Sequence, residues 1–190
     1  MRTFIAIELP QEIKEKLSEL QARLKQSEAD VKWVEPENIH LTLKFLGEIG
    51  EDKLPKIIEI IESTTQNTKQ FRLSLSSLGA FPRVEFPRII WIGINKGDKE
   101  TVLLAKALEE KIEKLGIPGE ERPFSSHITI GRVKGPLNKD KLAKTLKQSG
   151  DYFSGKDIGF DVTKVTLFKS TLGPGGPVYA ALKEVKLTTT

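Results

Sequence analysis

The chain holds two histidines, and each opens the same short pattern: His40-Leu41-Thr42-Leu43 and His127-Ile128-Thr129-Ile130. In a β-strand, residues two apart share a face. His40 therefore projects with Thr42, and His127 with Thr129, while Leu41, Leu43, Ile128 and Ile130 point into the lobe behind them. Two such strands facing one cleft place imidazoles on opposite sides of a bound group, which suits phosphoryl transfer. One imidazole takes the proton of an attacking water or hydroxyl, and the other protonates the departing oxygen. The Thr42 and Thr129 hydroxyls, with backbone N–H groups, hold the non-bridging oxygens. Histidine serves either role because its unperturbed pKa is about 6.5.

Other chemistries fit the residues less well. Catalytic zinc commonly takes three protein ligands, and neither His has a second His three or four positions away. No Gly-x-Ser-x-Gly elbow occurs. The absence of Cys excludes thiol nucleophiles, disulfide frameworks and Cys-ligated metals. The reading therefore calls for no metal and no cofactor. A binding module using the same cleft without turnover is the alternative, because a fold alone does not dictate activity.

The elements that must position the two patterns follow from periodicity. Thr3–Leu9 reads as a strand ending at Pro10, and Gln11–Lys25 as a helix through Ile13, Leu17, Leu20 and Leu24. Ile39–Leu46 reads as a strand and Asp52–Thr65 as a helix. Two strands follow, Phe71–Leu75 and Arg88–Ile94, joined by a loop containing Gly79, Pro82 and Pro87. The order then repeats, with a helix over Asp98–Leu115, a strand over Ser126–Val133, a helix over Asn138–Gln148 capped by Asn138, and strands over Gly159–Lys169 and Val178–Leu187. The run Gly173-Pro174-Gly175-Gly176-Pro177 lacks the spacing and Lys of a phosphate-binding loop and reads as a turn. Gln11 and Asp98 open corresponding helices, and His40 and His127 lie in corresponding strands; both pairs are 87 positions apart. These features predict an α+β fold from an internal duplication. Two pseudo-symmetric lobes of antiparallel sheet, with helices outside, share one core over residues 1–190, and the two His-x-Thr strands face a central cleft.

Composition agrees with a single compact unit. The chain has 190 residues, 38% of them hydrophobic and 29% charged, enough to bury a core. A net charge of +4 is too mild for a duplex-wrapping protein, yet compatible with a small anionic ligand. The opening Met1-Arg2-Thr3-Phe4-Ile5-Ala6-Ile7-Glu8 meets an acidic residue too soon for a signal peptide or membrane span, so a cytoplasmic location is expected. A monomer with no membrane association is expected too. Lys and Glu dominate the charge while Cys and Met together total one, a bias that predicts a protein from a hot environment.

Three stretches carry a resemblance to a known family: Met1–Pro10, Trp33-Val34-Glu35-Pro36-Glu37-Asn38-Ile39-His40-Leu41-Thr42-Leu43-Lys44-Phe45-Leu46-Gly47, and Phe124-Ser125-Ser126-His127-Ile128-Thr129-Ile130-Gly131-Arg132. Together they resemble the RNA 2',3'-cyclic phosphodiesterases, or 2'-5' RNA ligases, of the 2H phosphoesterase superfamily. The resemblance implies a bilobal α+β fold and hydrolysis of terminal 2',3'-cyclic phosphates to 2'-phosphates. It also implies 2'-5' ligation of RNA ends, with tRNA halves among the substrates and nucleotides among the ligands. His40 would be the proton donor to the leaving 3'-oxygen and His127 the proton acceptor that activates water. Ser126 stands where members of the family commonly carry Pro.

Four further residues are candidates for substrate binding. Arg132 matches the family's Arg, but five positions past His127 it lies on the opposite face of an unbroken strand. It reaches phosphate only if the strand bends or ends at Gly131. Lys44 shares parity with His40 and Thr42 and could meet RNA phosphate, while Phe45 and Trp33 could stack a base.

Overall fold

The computed structural model describes residues 1–189. Nine strands, β1 (Arg2–Glu8), β2 (Val31–Trp33), β3 (His40–Glu48), β4 (Phe71–Arg83), β5 (Phe86–Ile94), β6 (His127–Val133), β7 (Gly159–Val162), β8 (Lys164–Gly173) and β9 (Gly176–Lys186), form two sheets. Four helices accompany them: α1 (Gln11–Lys25), α2 (Leu54–Thr65), α3 (Asp98–Glu113) and α4 (Lys139–Gln148). One sheet runs β3-β1-β8-β9 and the other β2-β6-β5-β4-β7, with every ladder antiparallel. This is the expected α+β architecture. The spacing of Ile13, Leu17, Leu20 and Leu24 gives α1 one apolar face, and all four side chains are buried. Each such side chain contributes on the order of 1.5–3 kcal/mol. A continuous core runs through both sheets and takes residues from all four helices.

The lobes are not the two halves of the sequence. Strand β4, from the first half, pairs with β5 in the sheet of His127, and β8, from the second half, pairs with β1 in the sheet of His40. Each sheet is therefore built from both halves. The crossing happens at Thr163, which divides the strand expected over Gly159–Lys169 into β7 of one sheet and β8 of the other.

One more expectation is corrected and one refined. The stretch expected to be a loop with Gly79, Pro82 and Pro87 is a long hairpin, because β4 continues to Arg83 and turns at once into β5. Gly79 reads as a breaker in sequence but is a packing residue: a Cβ there would lie 2.5 Å from the indole of Trp91, which rests on it. Asn138 holds the N-cap position of α4, but its side chain makes no capping hydrogen bond. Its backbone is left-handed (φ 53°), and its side-chain amide donates instead to the Glu28 carbonyl at 3.0 Å. The short β2 gave no periodic signal. The Gly173–Pro177 run is the β8–β9 hairpin turn, as read.

Candidate active site

The sheets approach each other along β3 and β6, whose Cα atoms come within 8 Å. These are the strands of the two His-x-Thr patterns. Their alternation is as expected at the start: Leu41, Leu43, Ile128 and Ile130 are buried, while His40, Thr42, His127 and Thr129 are half-buried.

Both rings are held the same way. His40 Nδ1 lies 2.7 Å from the Asn38 carbonyl oxygen, and His127 Nδ1 lies 2.7 Å from that of Ser125. A carbonyl can only accept, so each Nδ1 carries the hydrogen and each Nε2 is left to exchange a proton. In its neutral form His40 Nε2 accepts from Thr42 Oγ1 at 2.9 Å. Asn38 and Ser125, like the histidines, are 87 positions apart.

An aromatic wall stands behind each imidazole. His40 stacks on Phe4 (4.8 Å, 28°), and Phe4 on Phe168 (5.2 Å); Tyr179 meets both His40 and Phe4 edge-on. His127 meets Phe81 edge-on at 5.3 Å, and Phe81 packs on Trp91 at 5.2 Å. Phe4 and Trp91, and likewise Phe81 and Phe168, again differ by 87. Burial pushes the His40 imidazole below the ordinary histidine value. Its hydrogen bond to Asn38 opposes that shift, and the charge of Lys14 adds to it. Burial raises the Tyr179 phenol, while the charges of Arg132 and Arg2 pull it down. Beside His40 opens a cavity of about 310 Å³ lined by Glu8, Lys14, Asn38, Phe168 and Tyr179.

One irregularity, present in both strands, rearranges the secondary candidates. The β1–β3 register skips Leu43, passing from Ala6↔Thr42 to Ile5↔Lys44, and the β5–β6 register skips Ile130, passing from Trp91↔Thr129 to Ile90↔Gly131. A one-residue bulge inverts the parity of everything after it. Arg132 is thereby exposed on the side of His127 and Thr129, although simple alternation puts it on the other. Its counterpart Phe45 is 54% exposed, 6.3 Å from Phe4 on the His40 side.

The same inversion removes Lys44 from the substrate side. Lys44 is 2% exposed, and its Nζ lies 2.8 Å from Glu109 Oε2 and donates to the Pro118 carbonyl at 3.0 Å, so it is an internal ion pair rather than an RNA contact. Trp33 pairs with Gly131 and is partly buried against the main core, its ring within 2.9 Å of where a Cβ of residue 131 would be. Ser126 is buried and its hydroxyl has no hydrogen-bond partner. Sequence reasoning missed Phe4, Phe81, Trp91, Phe168 and Tyr179. The 87-residue offset from one wall to the other was a signal for the first four, and none pointed to Tyr179.

Comparison with known proteins gives the family. The family described as LigT like phosphoesterase matches the chain twice, over residues 7–91 and 92–179. The RNA 2',3'-cyclic phosphodiesterase of Methanothermobacter thermautotrophicus is 35% identical over 187 residues, covering 98% of this chain and 99% of the relative. That of Methanocaldococcus jannaschii is 38% identical over 184 residues, 97% and 99% of the two chains. The solved structure of E. coli LigT complexed with 3'-AMP superposes with a TM-score of 0.79 at 29% identity, over 99% of this chain and 98% of that one. With two family matches that together span residues 7–179, and relatives 35% and 38% identical over nearly the whole chain, this chain belongs to the LigT-like phosphoesterases.

Proposed function

We propose that the chain is an RNA 2',3'-cyclic phosphodiesterase that opens the terminal cyclic phosphate to a 2'-phosphate by acid–base catalysis between His40 and His127. The observation that carries this reading is the matched pair of carbonyl-bound Nδ1 atoms, which leaves an Nε2 on each of two adjoining strands free to move a proton. Water attacks phosphorus as His127 Nε2 takes its proton, the P–O3' bond breaks, and His40 Nε2 delivers a proton to O3'. Thr42, Thr129 and Arg132 hold the non-bridging oxygens, and Phe45 lies on the substrate side. A 5'-hydroxyl in place of water gives the 2'-5' ligation product by the same transfers.

His40 needs a proton for this role, yet burial disfavours its charged form in the empty site. The phosphodiester anion reverses that balance, so the protonated ring belongs to the substrate complex. RNA ends and nucleotides are the ligands. We further propose one bilobal domain over 1–190, arisen by duplication with an exchange of β4 and β8, acting as a cytoplasmic monomer. The relatives' sources and the Lys and Glu bias favour a thermophile. No helix among the described residues is long and apolar enough to cross a membrane.

The test is a short RNA ending in 2',3'-cyclic phosphate, incubated with the protein in chelator, with the product linkage mapped. His40→Ala and His127→Ala should each lower turnover about 100- to 10,000-fold with an unchanged fold by circular dichroism. Undiminished turnover in either variant overturns the assignment. Binding without any 2'-phosphate product identifies a non-catalytic module instead.

A further inference from the structure

The two long hairpins, β4–β5 in the sheet of His127 and β8–β9 in the sheet of His40, differ in chemistry. The β8–β9 hairpin carries no charge between Ser170 and Leu182, and it exposes Leu172 and Val178. The β4–β5 hairpin carries Arg83, Glu85, Phe86 and Arg88. Its Phe86 is 60% exposed, with the Arg83 guanidinium 4.8 Å above the ring. The acid at the tip is neutralised, because Glu85 Oε1 lies 3.3 Å from Lys147 Nζ. Arg132 lies in the same sheet, opposite Ile89, which pairs with Phe81. The hairpin is continuous with the catalytic wall: Phe81 touches His127, and Arg83 follows two residues later.

We propose that the Arg83–Phe86 pair is a contact site for the RNA strand next to the reacting end, and that it makes the protein prefer oligonucleotides to cyclic mononucleotides. The proposal rests on the function read above and deepens it. An exposed aromatic face accepts any base, and a guanidinium beside it reaches the adjoining phosphate. The uncharged β8–β9 hairpin offers no such phosphate contact. A single exposed Phe is ordinary on a protein surface, but one covered by Arg, with its acidic neighbour neutralised and a catalytic ring at the base of the same hairpin, favours a polyanion.

The experiment compares kcat/KM for a short RNA ending in 2',3'-cyclic phosphate with that for a nucleoside 2',3'-cyclic phosphate. The wild type should favour the RNA by about 5- to 150-fold, the worth of one stacked base. Arg83→Ala with Phe86→Ala should erase that preference while mononucleotide turnover stays within about twofold. Leu172→Ala should keep it. A preference unmoved in the double variant, or an equal loss on both substrates, overturns the proposal. A wild type that turns over neither substrate overturns the assigned activity alone. The hairpin is then judged by fluorescence anisotropy with an RNA ending in 2'-phosphate, where equal binding by wild type and double variant overturns the proposal and binding lost only in the variant supports it.

Discussion

The imidazole of His40 lies nearly parallel to the ring of Phe4, with centroids 4.8 Å apart and planes inclined by 28°. With Phe4 on one side and the edge of Tyr179 on another, the ring loses the water that would stabilise its charge, and its pKa falls below the ordinary 6.5. In the substrate-free protein the His40 resonance should therefore titrate below 6.5 by NMR, and Phe4→Ala should move it upward. The alkaline limb of kcat/KM reports the free protein and that of kcat the complex, so the limb should lie at higher pH in kcat. Coincident limbs would remove His40 from the donor role.

The same shift affects stability in a fixed direction. Because the folded ring binds its proton less readily than the unfolded one, the stability present above pH 6.5 falls as pH drops from 6.5 to the lowered midpoint and is level below it. Urea midpoints measured across that window should show the slope in the wild type and its loss in His40→Gln.

Arg132 owes its place to the bulge at Ile130. A charge-assisted hydrogen bond to phosphate is worth about 1.5–3 kcal/mol, so Arg132→Ala should lower kcat/KM by about 10- to 150-fold, with partial recovery in Arg132→Lys. An unchanged kcat/KM in the Ala variant would place the guanidinium away from the phosphate.

The legible part of this molecule was what period two and self-similarity carry. The faces of His40, Thr42, His127 and Thr129, the helices and their order, and the 87-residue repeat all follow from local spacing. The bulges at Leu43 and Ile130 do not, because one extra residue in a ladder leaves no compositional mark and yet inverts Lys44, Phe45 and Arg132. The partner choice of β4 and β8 was hidden for another reason. Pairing across sheets is a long-range matter, and nothing within Phe71–Arg83 names the strand it will join. Gly79 misled because its role depends on Trp91, twelve residues away.

The ion pair of Lys44 and Glu109 should respond asymmetrically to mutation. The Lys44 side chain is 1% exposed and that of Glu109 24%, so removing the carboxylate strands a buried charge, whereas removing the ammonium frees an acid that reaches water. Glu109 Oε1 also accepts from the Glu120 backbone at 2.5 Å, in the segment leading to His127. Glu109→Gln should cost about 3–5 kcal/mol, and Lys44→Met markedly less. Equal costs in urea unfolding would show that Lys44 reaches solvent once unpaired.

Gln21 of α1 is 1% exposed, and its amide donates to the Val34 carbonyl at 2.8 Å and to that of Ile130, the bulge residue, at 2.9 Å. It thus ties the irregular turn of β6 to the helix packed behind it and fixes the strand where Arg132 emerges. Gln21→Leu takes one donor from each carbonyl, leaving that of Ile130 only the Val34 N–H, and should cost about 1–3 kcal/mol of stability. If the amide acts through the bulge, the variant also loses kcat/KM, and that loss disappears when Arg132 is already Ala, because a misplaced guanidinium cannot be missed twice. A double-mutant cycle on the cyclic phosphate substrate measures this, and fully additive losses would show that Gln21 and Arg132 act independently.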